Sequence, residues 1–178
     1  MHIVFGAFLG FVWSLRRLFV PTGSGRQRFN VLGALDVMTL WLVTVCNETT
    51  IRKEQVIELL HKLAAQATMP VTVVLDNARY QHNKLVMQTA QQLGIELLFL
   101  PTYSPNLNLI ERLWKWLKTR IRSVRSVGDF VALKRTVEQL LTTGMLHAHD
   151  ELRSLLTLNF QSFKDLPLYP QNLALVAV

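Results

Sequence analysis

Two carboxylates, Asp76 and Glu111, are the residues of this chain best suited to chemistry. Asp76 closes the apolar run Val71–Leu75; Glu111 follows a second apolar run and the turn PTYSPNLN, with 34 residues between the two acids. That interval has room for a helix, a strand and a turn into a second helix, so a fold can bring the two side chains together. Carboxylate oxygens are hard ligands that suit Mg²⁺ or Mn²⁺. A carboxylate at the end of a buried strand is costly unless it is solvated, paired or coordinating a cation. Each acid also has a plainer reading. Asp76, with Asn77 behind it, can close the strand as an Asx-turn. Glu111 can pair with Lys115 one helical turn further on. Against the second reading stand Pro101 and Pro105, which stiffen the turn and set Glu111 at a fixed offset from it.

The remaining titratable residues point elsewhere. Asp36 lies in a short connection between two strands, and Glu48 and Asp129 read as solvated or capping residues. The one cysteine, Cys46, excludes an intrachain disulfide and a C-x-x-C metal site. It sits in an apolar run and reads as a small core residue. His82, His147 and His149 read as surface residues, and no histidine pair has zinc-like spacing with other ligands.

The elements that must position the two acids are legible from periodicity. Residues 2–20, rich in Val, Leu, Phe and Trp, suit one bent strand or two short ones. Residues 21–25 (PTGSG) are a loop by composition. Residues 29–35 (FNVLGAL) and 39–45 (TLWLVTV), joined by Asp36-Val37-Met38, predict an antiparallel hairpin. Thr50 is placed to cap a helix whose inward stripe is Val56, Leu59, Leu60 and Leu63, with Met69-Pro70 as its stop. Val71–Leu75 suits a strand buried on both faces of a parallel sheet. A helix over residues 83–93 with Gly94 as its stop, a strand over 95–100 and a helix from about Leu107 follow. The last buries Ile110, Leu113, Trp114, Leu117 and Ile121; Trp116 lies off that stripe and is free to pack on another element or a partner. A further helix covers about 130–141. This order predicts an α/β fold, a mixed sheet of an antiparallel hairpin plus parallel strands with helices on both faces. Residues 1–145 form the predicted domain, and 146–178 a tail in which no chemistry is apparent.

The chain has 178 residues, half of them apolar, and a formal charge of +7. It can bury a sizeable core, and its basic balance suits an anionic partner, nucleic acid first. Arg112, Lys115, Lys118, Arg120, Arg122 and Arg125 crowd the Glu111 helix and its exit; Arg16, Arg17, Arg26 and Arg28 form a second cluster. Such residues contact phosphates without reading sequence. The apolar opening lacks the leading charges of a signal peptide, and it is shorter than the roughly 20 residues of a bilayer-spanning helix. No membrane association is expected.

The segments LDNARYQH and LFLPTYSPNLNLIERLWKWLK, with their 34-residue spacing of acids, resemble the DDE transposases of bacterial insertion sequences, in the branch related to mariner elements. GRQRFNVLGAL and ELRSLLTLNF extend the resemblance over nearly the whole chain. It implies an RNase H-like fold in which three carboxylates hold two divalent ions, Mg²⁺ or Mn²⁺, for DNA strand cleavage and strand transfer. Asp76 would be the second acid and Glu111 the third, both catalytic and metal-ligating. In the family the first acid precedes a histidine in an Asp-x-x-His pattern, and His2 matches that histidine, so the first acid is expected upstream of Met1. The resemblance thus implies a catalytic portion that lacks the family's N-terminal DNA-binding region and is inactive or crippled alone. The implied partners are double-stranded DNA, at element ends and target, and a second transposase subunit or the upstream half of a split transposase, in the bacterial cytoplasm at the nucleoid. Two alternatives stand beside it: a non-catalytic DNA-binding or oligomerisation remnant of a transposase gene, and a related nuclease acting on RNA hybrids.

Overall fold

Alternating side chains of one long strand feed two separate cores, and this divides the molecule into layers. The computed structural model of the chain describes residues 1–5, 15–16, 27–102, 104–123, 129–160 and 174–177, without the side chains of residues 105, 122–123 and 174–177. In chain order the elements are β1 (His2–Phe5), β2 (Gln27–Asp36), β3 (Leu42–Asn47), α1 (Lys53–Gln66), β4 (Val71–Leu75), α2 (Lys84–Gln92), β5 (Ile95–Phe99), a 3₁₀ turn (Pro105–Leu107), α3 (Ile110–Ser123), α4 (Phe130–Gln139), a π turn (Leu140–Gly144), α5 (Met145–His147), α6 (His149–Leu155) and β6 (Ala174–Ala177). Phe29, Val31 and Leu35 of β2 face a core shared with α3, α4 and α6. Leu32 and Ala34 face the opposite core, built with β3, β4, α1 and α2. The two-residue period of a strand is the cause. The result is the mixed α/β sheet expected, with helices on both faces.

The hairpin forms as expected, β2 against β3, with Asn30 opposite Asn47 and Leu35 opposite Leu42. Its turn is longer than predicted because Asp36 organises it, accepting from Met38 N at 2.9 Å and from the Thr39 hydroxyl at 2.6 Å. Strands β4 and β5 pair in parallel from Val71/Ile95 to Leu75/Phe99. Helix α1 buries the four predicted residues Val56, Leu59, Leu60 and Leu63. Its start corrects one expectation. Thr50 does not cap it; Arg52 is the N-cap, and its N–H donates to the Gln55 side chain at 2.9 Å. Asn83 caps α2 by accepting from Leu85 N, and Gly94, at φ +68°, ends it in the left-handed region that favours glycine. Asp129 caps α4 by accepting from Ala132 N at 2.7 Å.

Cys46 is a second correction. It is exposed, because Val43 and Val45 take the inward positions of β3 and the next residue must point out. The predicted loop over 21–25, and most of the predicted strand over 2–20, lie outside the described residues. The segment expected to be a tail contributes Leu152 and Leu156 to the α3 core.

One strand lane is shared by the two ends of the chain. Asn30 pairs with both β1 and β3, and Leu35 pairs with both β3 and β6, so β1 and β6 lie on the same side of β2. Both run antiparallel to β2, end to end. The far side of β6 pairs in parallel with β4, from Val71/Ala174 to Val74/Ala177. Among the described residues, β6 is therefore the strand that joins the antiparallel and parallel parts of the sheet.

Candidate functional site

Asp76 is the first residue beyond β4. The strand holds it by burying Val71, Val73 and Leu75 and by pairing Leu75 O with Leu100 N at 2.9 Å, one residue past the β4/β5 register. The loop behind it is tied by main-chain bonds, Ala78 N to Asp76 O at 2.8 Å and Gln81 N to Ala78 O at 2.9 Å. Ala78 N bonds the main-chain oxygen of Asp76, so the half-buried carboxylate is not spent on an Asx-turn. Its Oδ1 instead accepts from the Asn108 side-chain amide at 2.9 Å.

Glu111 is the second residue of α3, exposed, and in the first turn, where the helix dipole favours a carboxylate. The predicted stripe orients the helix: Ile110, Leu113, Trp114 and Leu117 are buried in one core. Gly33 of β2 allows that approach. A Cβ there would stand 2.9 Å from Trp114 Cη2. Among the described residues no ion pair joins Glu111 to Lys115. The two acids share a neighbourhood. Burial raises the Tyr80 phenol above its ordinary pKa, and Asp76 and then Glu111 raise it further. The Met1 amino group, lowered by burial, is pulled back up by Glu111 and Asp76 and lowered by Lys118.

Asn108 is the residue that sequence reasoning missed. It is 1% exposed and sits between the two acids. Its side-chain nitrogen donates to Asp76, its side-chain oxygen accepts from Ile110 N at 3.3 Å, and its main-chain oxygen accepts from Glu111 N at 3.2 Å. The signal available was an asparagine inside a stiff turn just ahead of a helix start, which reads locally as a capping residue and no more.

The basic residues divide. Lys115 and Lys118 are exposed on α3, four and seven residues beyond Glu111, and so share its face. Arg112 turns away. Its guanidinium donates to Leu155 O at 3.1 Å, Thr157 O at 2.9 Å and Asn159 O at 3.4 Å, and lies over the Phe160 ring. Arg120 pairs with Glu151 of α6 and lies over Trp116, which is buried in the α3 core. Arg28 is exposed on β2 opposite Val4. Arg26, the Arg122 side chain, Arg17 and Arg125 lie outside what is described. A cavity of about 350 Å³ opens beside Glu111, lined also by Asn106, Asn108, Arg112, Lys115, Asn159 and Phe160.

The donor set fits a divalent cation in part. Among the described residues, no hydrogen bond is made to Asp76 Oδ2 or to the Glu111 carboxylate, which suits both to a hard ion. Among the described residues no group of three His, Cys, Asp or Glu side chains gathers. Nor is any described helix long and apolar enough to cross a membrane.

Among solved structures, the chain resembles a chain of a simian T-cell lymphotropic virus intasome solved with PP2A regulatory subunit B56 gamma, at 18% identity and TM-score 0.49; the match covers 64% of this chain and 42% of that one. It resembles the catalytic core domain of BIV integrase at 16% identity and TM-score 0.48, over 71% of this chain and 90% of that one. No curated protein matches. The family model described as DDE superfamily endonuclease matches residues 16–134, which include both Asp76 and Glu111. That match spans more than half of the chain, and the chain belongs to the DDE superfamily endonuclease family.

Proposed function

We propose that this chain is the catalytic portion of a bacterial insertion-sequence transposase related to mariner elements, acting on DNA with the aid of Mg²⁺ or Mn²⁺. The observation that carries the reading is the junction of Asp76 and Glu111 through Asn108, at the carboxyl end of a parallel strand, where open α/β sheets place their ligands. In this reading both carboxylates are metal ligands. A divalent ion held there supplies charge neutralisation at a phosphodiester and activation of the attacking oxygen. Strand cleavage would be attack of water on phosphorus at an element end, breaking the P–O3′ bond and freeing a 3′-hydroxyl. Strand transfer would be attack of that hydroxyl on a target phosphodiester, forming a new P–O3′ bond to the element end as the target's own P–O3′ bond breaks and leaves a target 3′-hydroxyl. Arg112, Lys115, Lys118, Arg120 and Arg28, with Arg26 and Arg122, would follow the DNA backbone.

Two carboxylates are fewer than the family's three. The pair in this chain binds one divalent ion without supporting strand cleavage, and a third carboxylate ahead of His2 restores it. The test is Mn²⁺ binding followed by electron paramagnetic resonance, together with nicking of an element-end duplex. The chain binds Mn²⁺, Asp76→Ala and Glu111→Ala each abolish binding, and a version extended by an Asp-x-x-His strand cleaves. Unchanged Mn²⁺ binding in both alanine variants would sink the metal reading. An extended chain that binds DNA but never cleaves would favour the non-catalytic DNA-binding or oligomerisation remnant.

A further inference from the structure

We infer that Asn108 is the positioning residue of this site, the residue that sets the Asp76 carboxylate relative to the helix start that carries Glu111. The inference rests on the metal reading above and deepens it. Asn108 uses three of its polar groups on different parts of the site. The side-chain NH₂ fixes Asp76 Oδ1 at 2.9 Å, the side-chain oxygen takes the N–H of Ile110 at 3.3 Å, and the main-chain oxygen takes the N–H of Glu111 at 3.2 Å. It is thus bonded to the carboxylate of one acid and to the backbone that carries the other.

The chemistry of the amide makes the arrangement directional. An aspartate carboxylate has no donor of its own, so a neutral NH₂ can hold one oxygen without neutralising the charge or competing for the cation. The other oxygen, Oδ2, is left for coordination. At 1% exposure the amide is shielded from water that would compete for these bonds. A near neighbour of Asp76 in the sequence could fix the carboxylate only to its own loop. Asp76 and Asn108 are separated by the whole of α2 and β5, so their bond is what transmits the position of β4 to the start of α3.

Groups that orient a metal ligand from outside the coordination sphere are worth about 10–100-fold in metal affinity. The test uses the full chain and Mn²⁺ alone. Asn108→Ala lowers Mn²⁺ affinity by about 10–100-fold with an unchanged circular dichroism spectrum. Asn108→Ser keeps an oxygen that can cap Ile110 N–H; it recovers most of the thermal stability but not the Mn²⁺ affinity, separating the two roles. Thr72→Val is the control. Thr72 is a buried polar residue of the same strand β4, bonded to Glu96 at 2.7 Å, and its loss lowers stability while leaving Mn²⁺ affinity unchanged. A second readout needs no affinity measurement: traces of Mn²⁺ broaden the Asn108 side-chain NH₂ resonances, and Asp76→Ala shifts those resonances in metal-free protein. Wild-type Mn²⁺ affinity in Asn108→Ala, beside a loss in Asp76→Ala, overturns the role of Asn108 and leaves the metal reading standing. No loss in Asp76→Ala overturns both. NH₂ resonances insensitive to Asp76→Ala also overturn the proposal.

Discussion

At the scale of residues, Tyr80 is the built-in reporter of the two acids. Its phenol is raised first by burial, then by Asp76, then by Glu111. Replacing Asp76 or Glu111 with its amide therefore lowers the Tyr80 pKa but leaves it above the ordinary value near 10, because burial persists. The measurement is an ultraviolet titration in a background where the other two tyrosines, Tyr103 and Tyr169, are phenylalanine. Two amide variants that leave the titration unmoved would place the acids apart from Tyr80. The sign for stability follows. Below about pH 10 the phenol is protonated in both folded and unfolded chains and contributes nothing. Above it the unfolded chain ionises first, so stability falls until the higher folded pKa is passed. The acids themselves were legible in the sequence, from a strand end and a stiff turn. The partners of the arginines were not. Arg112 reads as a phosphate contact from its helix, and its guanidinium also fastens residues 155–159. Those carbonyls lie more than 40 positions away, and no local pattern announces them. The outward turn of Cys46 was legible in principle, since Val43 and Val45 set the strand's phase.

At the scale of elements, the placement of Glu111 depends on how closely α3 approaches the sheet. Trp114 rests where a side chain at Gly33 would be, with its Cη2 and Cζ2 atoms 2.9 and 3.0 Å from the position a Cβ would take, closer than real Cβ contacts come. Gly33→Ala thus forces the indole, and α3 with it, away from β2. Overpacking of this kind costs about 1–3 kcal/mol, and here it also moves Glu111 with respect to Asp76. The expected outcome is a lower unfolding midpoint in urea and weaker Mn²⁺ binding. An alanine variant of wild-type stability would show that α3 is not seated through this contact. Helical and strand periods made α1, α2, α3 and the hairpin readable, because each buries a continuous stripe. The cap at Arg52 was harder: the stabilising bond comes from Gln55 reaching back to a main-chain N–H, so the residue type at the cap itself carries no signal.

At the scale of the whole molecule, the joint in the sheet is the strand least visible in the sequence. Residues 174–177 read only as ALVA, four apolar residues with no polar alternation. What makes them a strand is non-local: they fill the lane between β2 and β4, following the line of β1. Loop closure over that distance is costly, and only the ladders on both sides offset it. Net gains of about 0.5–1.5 kcal/mol per hydrogen bond make such a strand worth a few kcal/mol. Removing residues 174–178 therefore lowers the thermal midpoint by roughly 4–10 °C for a chain of this size. It also uncovers the edge of β4, and an unpaired edge of Val71–Val74 is a template for pairing with another chain. Concentration-dependent light scattering should rise in the shortened chain, and amide protons of β4 should exchange faster than those of β3, whose own ladder with β2 is retained. Equal exchange in the two strands, with no change in midpoint or scattering, would show that the antiparallel and parallel parts hold together without β6, through α1 packing across them alone.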